Sequence, residues 1–162
     1  MRSSGSRLLS AVAVCASLML AAPSADAGSA FNGLNGTWSG SGQVKLENGK
    51  SESIRCSASY VPRSGGAGMG LGLRCASASN RIELRANLTS RGDRISGTWE
   101  ERSYNASGRI SGIAVADTLR LAIDGGGLSG FMIVRTTGGS QSISVRTDTS
   151  ALKGVNISLR RH

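Results

Sequence analysis

Leu34-Asn35-Gly36-Thr37-Trp38 is echoed by Ile95-Ser96-Gly97-Thr98-Trp99. Both read apolar, polar, Gly, Thr, Trp, and together they hold the chain's only two tryptophans. The opening apolar-x-Gly returns at Ile110-Ser111-Gly112, Leu128-Ser129-Gly130 and Leu152-Lys153-Gly154. In a strand, residues at i, i+2 and i+4 share one face. Leu34, Gly36 and Trp38 therefore point one way, as do Ile95, Gly97 and Trp99. A glycine beside a large ring permits a bend or a close approach of two backbones. The repeats predict strand openings of one antiparallel, strongly coiled sheet.

Working outward, apolar and polar residues alternate from Gly36 to the end, and no window holds a helical period. Trp38, Gly40, Gly42, Val44 and Leu46 share a face, and Asn48-Gly49 suits a two-residue turn with positive φ at both residues. Ile54, Cys56, Ala58 and Tyr60 form the return face. Pro62 to Gly68 reads as a loop, followed by Leu71, Leu73 and Cys75 on one face. Ile82, Leu84, Ala86 and Leu88 alternate with polar residues in the clearest period-2 segment. Leu119, Leu121 and Ile123 follow, then strands over 131–136, 142–147 and 154–159, in which Phe131, Ile133, Ile143, Val145, Ile157 and Leu159 are expected to face inward. The fold class predicted is all-β: one antiparallel meander of about eight to ten strands closed into a small barrel, since closure removes edge strands.

The chain has 162 residues, enough for one such domain. Residues 1–27 read as a cleaved secretory signal: Arg2 and Arg7, an apolar run from Leu8 to Ala22, and an A-x-A site at Ala25-Asp26-Ala27. Residues 28–33 form a short tail and 34–162 the barrel, with no transmembrane segment in the mature chain. Export to the periplasm or beyond favours a disulfide between Cys56 and Cys75, the pair left once Cys15 departs.

The formal net charge is +9, carried almost wholly by arginine. Arg55, Arg74, Arg81, Arg85, Arg120 and Arg146 fall out of phase with the apolar faces and are expected to stud the exterior as a candidate anion-binding surface. Nucleic-acid surfaces want exposed aromatics for stacking. The chain has six aromatics, and Trp38, Tyr60, Trp99 and Phe131 are expected inside, so no nucleic-acid partner is expected.

No catalytic constellation emerges. The only histidine is His162, so a Ser-His-Asp or Cys-His site lacks its base in the body of the fold. Glu100 and Glu101 are adjacent in a strand and face opposite ways. Gly66, Gly68, Gly70 and Gly72 resemble a phosphate-binding run, but a strand rather than a helix follows them. Asp148-Thr149-Ser150 lacks the apolar flank of an aspartic-protease motif, because Arg146 and Thr147 precede it. Two cysteines without an internal histidine make no zinc site. The chain is therefore expected to be non-enzymatic, with no metal and no cofactor.

Gly36-Thr37-Trp38 opening a small exported meander resembles the G-x-W start of calycin-type, lipocalin-like barrels. The ending Arg160-Arg161 is similar to the arginine that packs on that tryptophan in the family. The order Trp38, Cys56, Cys75, Trp99 also resembles the small secreted barrels that inhibit bacterial metalloproteases, which carry one disulfide. The haem-liganding histidine of nitrobindin-like barrels has no counterpart here.

Three functions are open at this level. An exported barrel with Leu73, Leu84, Leu121, Ile133, Val145 and Ile157 as candidate lining would bind a small apolar ligand, if it is hollow rather than filled. A barrel like the inhibitors would present its N-terminal tail to a secreted protease. An arginine-rich exterior would bind an anionic envelope component, lipid or polysaccharide. A structural envelope protein without a ligand is the remaining alternative.

Overall fold

The computed structural model describes residues 29–148 and 152–162. The signal segment, with Cys15 and its A-x-A site, lies outside the described residues, as do Thr149 and Ser150. Ten strands follow in order: β1 (Gly36–Leu46), β2 (Ser51–Arg63), β3 (Gly68–Ala76), β4 (Arg81–Arg91), β5 (Arg94–Glu101), β6 (Ala106–Val115), β7 (Thr118–Gly125), β8 (Leu128–Thr137), β9 (Ser140–Thr147) and β10 (Leu152–Arg161). Each pairs antiparallel with the next, and β10 pairs with β1 to close the barrel. The all-β meander read from the period-2 pattern is the observed architecture.

The G-x-W glycine of β5 shows why the sheet coils. A Cβ on Gly97 would stand 2.2 Å from the Asn87 carbonyl oxygen of β4 and 2.9 Å from Leu88. The neighbouring backbone crosses where a side chain would otherwise be. Such inward glycines let strands tilt and close the barrel without the inward side chains colliding.

One end of the barrel is plugged. Trp38, Met69 and Leu159 are fully buried there, with Phe31 and Leu34 beneath them. Trp38 Nε1 donates to the Leu34 carbonyl at 2.8 Å, and Ser29 Oγ donates to the Gly66 carbonyl at 2.7 Å. The Arg161 guanidinium donates to the Gly33 carbonyl. The segment from Ser29 to Asn35 is thus a stopper tied to the barrel floor. Burying a side chain of this size is worth about 1.5–3 kcal/mol, which holds the stopper in place.

Four local readings are corrected. Pro62 to Gly68 is not a long loop: β2 runs to Arg63, a single 3-10 turn spans Ser64–Gly66, and β3 starts at Gly68. Pro62 sits in the ladder opposite Met69. At the first hairpin only Gly49 takes a positive φ, at 78°, and the connection is four residues long rather than two. Phe131 faces outward and is 65% exposed. Ile133, expected to line the interior, is likewise outside and 46% exposed. Phe131-Met132-Ile133-Val134 is apolar on both phases, so alternation cannot choose the inner pair. Gly130 chooses it: a Cβ there would stand 2.1 Å from the Arg146 carbonyl oxygen, so Gly130 faces in and carries Met132 and Val134 with it.

Candidate functional site

Between the plug and the far rim lies an interior cavity of about 530 Å³. Leu73, Leu84, Leu121, Val145 and Ile157 line it as the alternation predicts; Met132 and Val134 stand where Ile133 was expected. All ten strands supply apolar side chains to it, because alternate residues of each strand turn to the axis. The volume is in the range of cavities that enclose a small organic ligand, ~300–1,000 Å³.

The rim is polar and acidic. Glu52, Ser77, Asn80, Glu101 and Tyr104 lie at the open end, all contributed by strand ends and turns opposite the plug. Tyr104 Oη donates to Asn80 Oδ1 at 2.8 Å, Asn80 Nδ2 donates to Ser79 Oγ at 2.7 Å, and Ser79 Oγ donates to Glu52 at 2.6 Å. This chain spans from the β5–β6 turn to β2. Glu101 is buried, and burial pushes its carboxyl pKa up. The backbone N–H groups of Glu83 and Tyr104, each 2.7 Å from a carboxylate oxygen, outweigh that burial together with Ser103 and hold the pKa below its ordinary value. The hydroxyls of Ser79 and then Ser77 lower that of Glu52. Both rim carboxylates are therefore ionised at neutral pH. Among the described residues, Glu52 and Glu101 are the only charged ones of the lining, and no lysine or arginine joins them.

At the floor, Tyr60 Oη donates to Gln141 Oε1 at 2.7 Å across the barrel, and Gln141 Nε2 donates to Thr136 Oγ1 at 3.1 Å. Burial pushes the Tyr60 phenol far above its ordinary pKa, so it stays a neutral donor. Trp99 also lines the cavity; its Nε1 is buried without a hydrogen-bond partner, packed against Gly108 of β6. An unpaired buried donor of this kind costs about 1–3 kcal/mol.

Cys56 and Cys75 face each other in register on β2 and β3 and form a disulfide, with Cα atoms 4.1 Å apart. The bond sits on the inner face toward the open rim, away from the β2–β3 turn. His162 lies outside the barrel at the plugged end, its Nε2 against Ser39 Oγ. No group of three or more histidine, cysteine or acidic side chains is poised to hold a metal ion among the described residues.

The six outward arginines all lie on the exterior, but they do not form one patch. Arg55, Arg74, Arg81 and Arg85 lie on β2 to β4, and Arg120 and Arg146 lie on β7 and β9, the opposite side of the ring. Arg74, Arg85 and Arg102 converge on Glu83 at 3.4, 3.8 and 3.8 Å. A shallow external depression of about 380 Å³ beside them carries Arg63 and Arg85 but also Glu100, and so has no single charge preference.

No family model matches the chain, and no curated protein sequence matches it. Among solved structures, the barrel is similar to the crystal structure of Rv2717c from M. tuberculosis, with a TM-score of 0.69 over 85% of this chain and 98% of that one. The sequence identity is 15%, so the likeness is one of fold.

Proposed function

We propose that the protein is a non-enzymatic, exported binding barrel of calycin type that holds one small, apolar, uncharged ligand in its interior. The observation that carries this reading is the 530 Å³ cavity, lined by aliphatic side chains, plugged at one end and rimmed by polar groups at the other. Transfer of an apolar ligand into such a space is favoured by about 25 cal/mol per Å² of apolar surface removed from water. The rim selects on charge. A carboxylate-headed ligand would meet Glu52 and Glu101 with no cation among the described lining residues to offset them, so free fatty acids are disfavoured relative to their esters or alcohols.

Titration with paired ligands tests this: a long-chain methyl ester and the corresponding free acid, each competing against a neutral naphthylamine dye at pH 7.5. Saturable binding with the ester stronger supports the reading. Absence of saturable binding by any neutral apolar compound removes it. The inhibitor reading would require the segment from Ser29 to Asn35 to leave the barrel, where Phe31 and Leu34 are buried.

A further inference from the structure

We propose that the outer face of β6 to β8 is a docking surface for an anionic lipid bilayer. Six large hydrophobic residues are exposed on the described barrel, and four of them, Ile113, Val115, Phe131 and Ile133, lie on β6 and β8. Arg120 of β7 stands between them: it pairs with Ile113 on one side and Ile133 on the other, giving one cross-strand row. Arg94 extends that row on β5, and Arg146 of β9 pairs with Phe131 in the next. Arg94, Arg120 and Arg146 make no ion pair among the described residues, unlike Arg74 and Arg85 on the opposite side.

A row of apolar side chains interleaved with unneutralised arginines has two halves, and a bilayer satisfies both. Phenylalanine and isoleucine gain from entering the acyl boundary. The arginine stems lie along the apolar surface while their guanidinium forks reach back to phosphate oxygens. A hydrated acidic polysaccharide would meet the arginines but leave Phe131 and Ile133 with nothing to gain. The face is independent of the cavity, whose lining is on the opposite side of the same strands.

Co-sedimentation with vesicles tests the proposal, using the protein from residue 28 onward. Vesicles containing phosphatidylglycerol should pull down the protein, vesicles of phosphatidylcholine alone should do so much less, and raised salt should release it. Arg120→Ser and Arg146→Ser should each weaken binding about fivefold. Phe131→Ser combined with Ile133→Ser should also weaken it in a protein that still folds, because both side chains lie on the outer face and neither belongs to the buried core. Four results would each overturn the proposal: no sedimentation with anionic vesicles, equal binding to neutral ones, full binding by the Phe131/Ile133 variant, or a dimer that this variant abolishes.

Discussion

Arg161 lies over the indole of Trp38, its guanidinium carbon 4.7 Å from the ring centroid, and the two residues are register partners across the β10–β1 seam. The last strand is thereby fastened to the first at the end where the plug sits. Arg161 also holds the Gly33 carbonyl, so one side chain ties together seam, ring and stopper. Arg161→Ala should cost about 1–2 kcal/mol, the range of a partly desolvated cation–π contact. Urea unfolding of the variant measures it, and Arg161→Lys should recover only part of the loss.

The crossing at Gly97 makes a steric prediction. Gly97→Ala places a methyl group against the Asn87 carbonyl and should destabilise by about 1–3 kcal/mol. Gly139→Ala, with open space around it, should stay within about 0.5 kcal/mol of the parent. Comparing the two melts separates close approach from any general effect of replacing glycine.

Removing the Cys56–Cys75 bond should cost about 2–4 kcal/mol. Denaturant unfolding of the Cys56→Ser, Cys75→Ser double variant gives the value, and thiol titration of the oxidised parent should find neither cysteine free. Its place by the rim, beside the cavity, also predicts faster ligand exchange when the bond is reduced.

The acidic rim gives a pH dependence. Glu101 has its carboxyl pKa lowered on folding, so its contribution is fully present above the unfolded value near 4.5 and disappears as pH falls through the lower folded value. Stability should therefore fall below about pH 4.5, and Glu101→Gln should flatten that part of the curve while lowering stability at pH 7. A series of thermal melts from pH 7 to pH 3 on both proteins shows whether the slope follows Glu101.

Much of this architecture was legible in the sequence, because an antiparallel barrel writes its inside and outside at a period of two. Val44, Ile54, Leu84 and Ile157 needed no more than that. β8 did not yield, since residues 131–134 are apolar on both phases. The signal was nevertheless present in the repeat itself: Leu128-Ser129-Gly130 matches Ile95-Ser96-Gly97, whose glycine faces in, and the same phase puts Met132 and Val134 inside. The acidic rim was beyond local reading. Glu101 is held by the backbone of Glu83, a strand away, and Glu52 by serines of the β3–β4 turn. Whether the barrel is hollow depends on strand tilt and on the plug, which the run from Ser29 to Asn35 does not announce.

Ligand entry into the interior is measured most directly by titrating a neutral naphthylamine dye into the parent, a cavity-filling Leu73→Trp variant and an outer-face Ile133→Ser variant. Leu73 lines the cavity and Ile133 lies outside it. A single saturable site in the parent and in Ile133→Ser, lost in a folded Leu73→Trp, is the result expected of a hollow binding barrel. Equal binding by all three proteins, or no saturation in any of them, would contradict it.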